Sequence, residues 1–269
     1  MRLTGINIHP VKSTAIRPVE QAYVGRTGLV GDREWMVVDT EGELVTAREL
    51  PELFRVVADV PATGGSVDLL LRGPGLDPLE VAVPGDDAEA LDVRLFATPL
   101  TARAAGDAAD AWLRKSLGRD DLRLVWCTDP TRRALTEPGL GPDDHAAFQD
   151  DSPVSLLSHA SVAQVSAWTE EPMVAERFRA NLLVDRVAEA FAEEGWSEVA
   201  IGGARFRVAC PISRCSMTTI DPETLTTGKD PLRALARHRK SGPGPVHTAV
   251  HLAVAHPGEI AVGDEVVVS

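Results

Sequence analysis

Val208-Ala209-Cys210-Pro211-Ile212-Ser213-Arg214-Cys215-Ser216-Met217-Thr218-Thr219-Ile220-Asp221-Pro222 is the stretch on which the interpretation of this chain turns. An apolar run ends in Ser-Arg-Cys, and a second run, Ser216 to Ile220, reads as another strand. Cys215 stands directly behind an arginine at the entry to that run. A neighbouring guanidinium favours thiolate over thiol in general, and thiolate is the form that attacks electrophiles or binds soft metals. Free cysteines are also often buried for packing alone. The local chemistry therefore leaves a ligand and a core residue both open. A zinc finger matches poorly, because four residues separate Cys210 from Cys215 and no second Cys or Cys/His pair stands at finger spacing.

Outward from this stretch, strand signals dominate. Short alternating or apolar runs at Leu3–His9, Glu34–Asp39, Phe54–Val60, Val67–Leu71, Leu79–Val83 and Asp92–Thr98 are separated by Gly/Pro/Asp turns. Further runs at Leu122–Cys127, Phe178–Val184, Ser197–Ile201 and Ala204–Ala209 read likewise, and Ala249–Ala255 with Glu259–Val268 reads as a closing hairpin across Pro257-Gly258. Helices are expected at Asp107–Leu117 with Asp107 as cap, at Ser158–Trp168 with Ser158 as cap, and at Pro231–His238. Residues 128–151 are polar and rich in Pro and Gly, a long loop of the kind that is often functional. The fold class is mainly β with a few helices, in a barrel or sandwich.

Composition bounds the rest. The chain has 269 residues, 44% hydrophobic and 25% charged, enough for a core in one large or two packed domains. A net charge of −13 argues against a general nucleic-acid surface, which needs clustered Lys and Arg. The N-terminus lacks the pattern of a secretory signal, and no run reaches the roughly 18 apolar residues of a membrane helix. Three cysteines cannot build a disulfide framework, so a reducing cytoplasm is the expected compartment.

The motifs, taken in order, carry a resemblance. Ser213-Arg214-Cys215, Thr218-Thr219-Ile220-Asp221-Pro222-Glu223-Thr224 and Lys229-Asp230-Pro231-Leu232 are similar to the signature of MOSC domains. The likeness extends upstream through Pro10-Val11-Lys12-Ser13, Gly28-Leu29, Gly31-Asp32-Arg33-Glu34-Trp35, Val45-Thr46-Ala47-Arg48 and Arg177-Phe178-Arg179-Ala180-Asn181. It ends in Gly258-Glu259-Ile260-Ala261-Val262-Gly263-Asp264. Within that family the chain most resembles the mitochondrial amidoxime-reducing components and their bacterial relatives.

The resemblance implies a smaller β-rich N-terminal region, residues 1–118, and a MOSC β-barrel, residues 119–269, to which the first strands can also contribute. It implies a molybdenum cofactor, Mo-molybdopterin, with Cys215 as the protein's catalytic ligand to the metal. Lys12, Ser13, Arg33, Arg48, Arg179 and Asn181 match positions around the pterin and its phosphate, and Ser213 and Arg214 flank the ligand. Asp151 and Ser152 match a polar turn leading into the barrel. Arginine suits bidentate phosphate recognition, and an amide can pair with a pterin edge. Two departures stand out: His9 replaces a usual aromatic, and Ile212 replaces a first cysteine, leaving Cys210 as a structural residue. A site built from His247, His251 and His256 is disfavoured, because strand spacing gives the three no common face.

The implied reaction is two-electron reduction of small N-hydroxylated compounds, amidoximes and hydroxylamines, with oxygen leaving as water. No four-cysteine cluster is present to hold an iron–sulfur centre, so a separate reductase or ferredoxin is the expected electron donor. Two other functions remain open on the residues: a non-catalytic cofactor carrier, and a sulfur-transfer protein using a Cys215 persulfide.

Overall fold

The run Trp35-Met36-Val37-Val38 shows how this chain builds its layers. All four residues are buried, and alternation sends Trp35 and Val37 into one core and Met36 and Val38 into another. A strand apolar on both faces must lie between two packed layers. In the computed structural model, which describes residues 1–240 and 242–269, it is sandwiched in this way. The described residues are mainly strands with three helices, as the sequence indicated: α1 Asp107–Leu117, α2 His159–Ala167 and α3 Leu232–Arg239. The strands form four sheets, and among the described residues none closes into a barrel.

The largest sheet has eight strands in the order Val266–Val268, Glu198–Ile201, Ala204–Ser213, His247–His256, Val154–Ser158, Leu182–Asp185, Arg2–Ile8, Arg17–Val19. One face, with Leu3, Leu156, Phe206 and Leu252, packs on a core of its own. The other, with Leu157 and Ala249, lies under α2 and α3. Val154–Ser158 and Leu182–Asp185 pair in parallel, so α2 serves as the crossover that parallel strands require. Ser158 caps α2 through Ser161 N at 3.1 Å, and the fully buried Glu193 accepts from both hydroxyls.

A second sheet runs Trp35–Val38, Arg123–Trp126, Thr98–Ala104, Ala90–Leu95, with α1 packed beside it. Two three-stranded sheets complete the molecule. Among the described residues four strand pairings cross the 118/119 boundary. Arg2–Ile8 pairs with Leu182–Asp185, Gln21–Gly25 pairs with Gly258–Ala261, and Arg123–Trp126 pairs with both Trp35–Val38 and Thr98–Ala104.

Several local expectations are corrected. Ser216–Thr219 is a 3-10 turn rather than a strand, because the Thr218 and Thr219 hydroxyls donate back to Cys215 O at 3.0 Å and Ser216 O at 2.7 Å. Phe54 belongs to a 3-10 turn opened by Pro51, and the strand after it is only Val57–Asp59. Phe178 ends another such turn, and Arg179 at φ 53° delays the strand to Leu182. Gly106, not Asp107, occupies the cap position of α1. The tail is not a hairpin either: Gly258 packs against the Gly203 backbone, Gly258–Ala261 joins Gln21–Gly25, and Val266–Val268 joins Glu198–Ile201. The strands Gln21–Gly25 and Thr98–Ala104 carry too little apolar alternation to have been legible.

Candidate functional site

The ends of several of these strands meet at one pocket between the N-terminal and C-terminal parts of the chain. Lys12 and Ser13 follow the first strand, Arg33 precedes the buried Trp35 strand, and Arg48 lies on a nearby turn. Asp151 and Ser152 end the long loop, Arg179 and Asn181 lead into Leu182–Asp185, and Ser213, Arg214 and Cys215 terminate the long strand Ala204–Ser213. Every one of these residues, singled out from the sequence, lines the same pocket. Ser13, Arg33, Arg179 and the lining Phe96 all have φ between 51° and 68°, a region L residues rarely occupy. Such strain persists only where surrounding structure enforces it, and it clusters at ligand sites.

Cys215 is exposed to the pocket, and Arg48 Nη2 donates to its Sγ at 3.2 Å. Asp150 is the counter-ion at the centre: Lys12 Nζ pairs with it, and Arg48 Nη2 lies 3.6 Å from Oδ2. Desolvation would raise the Asp150 carboxyl, but Lys12, Arg48 and Arg33 hold it well below the usual carboxylate range. Lys12 also donates to Phe148 O at 2.6 Å. The ring of Phe96 lies 5.5 Å from Lys12 Nζ and 5.1 Å from the Arg48 guanidinium carbon.

Arg33 is fixed from below. Its Nη1 donates to Asp32 Oδ2 at 2.6 Å, and Asp32 Oδ1 accepts from the His9 backbone N–H at 2.8 Å. Asp32 is buried, so this is no solvated surface pair. Burial, Arg33 and Arg179 together push the His9 imidazole down to about 3 and keep it neutral. Arg179 donates to Thr14 O at 2.8 Å and lies over the Phe54 ring. Arg214 caps Thr248 O at 2.8 Å and Phe178 O at 3.2 Å.

Six cations, Lys12, Arg33, Arg48, Arg177, Arg179 and Arg214, therefore line a pocket whose own acids are Asp150 and Asp151. The crowding shows in their proton affinities. Burial, with Arg33 beside it, pulls Arg179 down to about 9, and burial pulls Arg214 down to about 10. Burial also pulls Lys12 down to about 8, against the opposing pull of Asp150. Two buried polar atoms of lining residues, Arg48 Nε and Gln149 Oε1, have no protein partner. An excess of desolvated positive charge with an unspent donor, Arg48 Nε, is the physical description of an anion receptor.

Not every expected role fits without change. Asn181 donates to Asn7 O at 3.1 Å and accepts from Ser155 N and Oγ, so its amide mainly ties two strands together, with one N–H left over. Ser152 Oγ is engaged by His251 Nδ1 at 2.7 Å and Val154 O at 3.0 Å. Sequence reasoning passed over Asp150, although it stands in the same Asp-Asp-Ser-Pro turn. Phe96 and Gln149 had no local signal, and His251, named in the sequence only in a disfavoured three-histidine site, is brought to the pocket by the fold. His247, His251 and His256 do not converge. Among the described residues, the metal-capable side chains that do gather are Glu137, Cys210 and His251.

Comparison with known proteins identifies the family. Residues 1–120 match the family described as MOSC N-terminal beta barrel domain, and residues 143–267 match the MOSC domain. The chain is 31% identical over 274 residues to mitochondrial amidoxime-reducing component 1 of Danio rerio, covering 96% of this chain and 83% of that protein. It is 33% identical over 277 residues to mitochondrial amidoxime reducing component 2 of Bos taurus, covering 96% and 80%. The human component 1 is 30% identical over 275 residues, covering 96% and 80%. With both halves matched in order and relatives aligned over most of their length, the chain belongs to the family of MOSC proteins that includes the mitochondrial amidoxime-reducing components.

Proposed function

We propose that this protein is a molybdenum-cofactor-binding oxidoreductase that reduces small N-hydroxylated compounds, receiving electrons from a separate reductase or ferredoxin. The observation that carries the proposal is the convergence of one exposed thiol and six cations on a single pocket of an otherwise acidic chain. The residues fit a molybdopterin: Cys215 offers a soft sulfur donor, and the orphaned Arg48 Nε and the crowded Lys12, Arg33 and Arg179 suit an anionic phosphate. When bound, the metal would supply two-electron oxygen-atom chemistry, with N–OH reduced to N–H and oxygen released as water. Cys215 anchors the metal and does not attack substrate. Arg48 holds the thiol in place, and Asp150 positions Lys12 and Arg48 together.

The direct test is reduction of an amidoxime such as benzamidoxime by protein made in a cofactor-competent host, with a reduced viologen as electron donor. Amidine formation that follows molybdenum content is expected. Molybdenum-free protein from that host would overturn the assignment, while metal-loaded protein without turnover would indicate a carrier.

Anion binding should also depend on pH in a defined direction. An anion favours the protonated Lys12, whose pKa in the free protein is about 8. Affinity for inorganic phosphate should be insensitive to this group below pH 8. It should then fall by up to about tenfold per pH unit as pH rises through that value toward the higher pKa of the bound form. Arg179, pulled down to about 9, would begin to contribute above that range, so the Lys12 effect is read near pH 8. Calorimetric titration from pH 7 to 8.5 checks it, and Lys12→Met should bind weakly at pH 7.5 with no such fall. A flat wild-type profile would remove Lys12 from the anion site.

A further inference from the structure

The adjacent strands Ala204–Ser213 and His247–His256 bring Cys210 opposite His251, next to a bulge in the ladder. The loop of residues 128–151 adds Glu137, whose Oε2 lies 3.8 Å from Cys210 Sγ. One ligand atom from each of these three residues lies within 4.8 Å of the other two. The loop is seated by construction. Gly139, at φ 80°, packs so closely on the strand that a Cβ there would come within 2.6 Å of Ala209 O. Arg207 holds Gly139 O at 2.9 Å and Asp144 Oδ2 at 2.8 Å.

His251 is only 5% exposed. Its Nδ1 meets Ser152 Oγ at 2.7 Å, and that hydroxyl also meets Val154 O at 3.0 Å. Both contacts are satisfied together only when Ser152 donates its single proton to Val154 O and accepts from Nδ1–H. The Nε2 lone pair is then unshared, 4.0 Å from Asp151 Oδ2. Burial, with Arg214 nearby, lowers the imidazole to about 4, so it does not form an ion pair with Asp151. An imidazole oriented through its other nitrogen by a hydrogen bond is the usual arrangement of a metal-ligating histidine.

The charge balance points the same way. Glu137 forms no salt bridge among the described residues. Burial and then the Glu137 carboxylate push the Cys210 thiol up to about 11. Burial, with Asp150 and Glu137, also raises the Asp151 carboxyl. Two carboxylates, a thiol and an imidazole lone pair thus face one another, with Arg133 and Lys12 acting on Asp151 and Arg214 on His251, while Glu137 is left without an ion-pair partner among the described residues.

We propose that Glu137, Cys210 and His251 form a binding site for a borderline-soft divalent metal, zinc foremost, separate from the Cys215 ligand position. One sulfur, one nitrogen and one oxygen donor are the ligand types zinc takes, and they exclude magnesium or calcium as the preferred ion. Three protein ligands leave a fourth position for water. The site would pin the long loop to the central strands beside the anion pocket.

The test uses the full chain made without molybdenum cofactor, so its outcome is independent of the oxidoreductase assignment. Zn2+ is titrated against a chromophoric chelator, and Co2+ loading is followed by absorption. We expect one equivalent of Zn2+ and a sulfur-to-cobalt charge-transfer band. Cys210→Ser should abolish that band and weaken Zn2+ binding at least 100-fold, on the order expected for a direct ligand. Ser152→Ala, which frees the imidazole tautomer, should weaken it about 10–100-fold. Glu137→Gln, on the loop, serves as a ligand variant that leaves the strands untouched, and it too should weaken binding. Cys215→Ser should leave both readouts unchanged. Absence of stoichiometric Zn2+ in wild type would overturn the proposal. So would binding that survives Glu137→Gln and Cys210→Ser in folded protein, or binding lost in Cys215→Ser.

Discussion

Cys215→Ser should yield protein that folds with wild-type stability but retains less than about 1% of the wild-type molybdenum and amidoxime-reducing activity. The residue is exposed and caps a short turn through its backbone, so its side chain contributes little to packing. Among the described residues the one polar contact of its Sγ is with Arg48, which keeps Asp150 as a second partner. A hydroxyl in place of sulfur removes the soft donor that a reducible molybdenum centre uses. Substitution of groups merely supporting a ligand typically costs 10–100-fold in metal affinity, so loss of the ligand itself should cost at least about 100-fold. Molybdenum by mass spectrometry, pterin by fluorescence of its oxidation product, and thermal denaturation read the three parts separately. Pterin retained with metal lost would place the phosphate grip on the cationic wall alone. Metal retained at wild-type level would remove Cys215 as ligand. If sulfane sulfur disappeared as well, the persulfide function would replace the oxidoreductase.

The legibility of this site in the sequence was uneven for physical reasons. Cys215 and the cations could be found because their motifs are contiguous and each side chain serves the pocket directly. Asp150 could have been found, since it sits in a turn already singled out, but its pairing with Lys12 spans 138 positions and only the fold reveals it. Phe96 stands in a segment with no motif, and its φ of 54° is invisible in residue identity. For the fold, strands apolar on alternating or both faces were readable, whereas the hydroxyl-rich run after Cys215 was not. Its threonines score as strand formers, yet they bond to their own backbone and curl the chain into a turn. That turn makes a pocket possible there, because a straight strand would carry Met217 and Thr218 away from Cys215. The tail failed as a hairpin because its partners lie far away in the chain, at Gln21–Gly25 and Glu198–Ile201.

Asp32→Asn should have the largest effect on stability of any single change around the pocket, about 3 kcal/mol, lowering Tm by roughly 6–12 °C. Asp32 is 1% exposed and accepts at once from the His9 backbone, the His9 ring and Arg33. An asparagine keeps the shape but leaves Arg33 without its internal counter-ion, and the uncompensated charge carries most of the cost. Burial alone would raise the Asp32 carboxyl, but Arg33 and His9 hold it well below the usual carboxylate range. A depressed carboxyl contributes its stability at pH values above the unfolded-state pKa and loses it as pH falls through the folded-state pKa. The gap between wild type and variant should thus be full at pH 7 and shrink in strong acid, below pH about 4. Equal destabilisation at pH 3 and pH 7 would mean lost packing and not lost charge. The same substitution also tests the anion pocket, since Arg33 faces it. With Asp32 neutralised, an external anion becomes the nearest compensation for that guanidinium. Phosphate should therefore raise the Tm of Asp32→Asn by more than it raises that of wild type. If phosphate stabilises both proteins equally, Arg33 belongs to the scaffold and the anion grip rests on Lys12, Arg48 and Arg179.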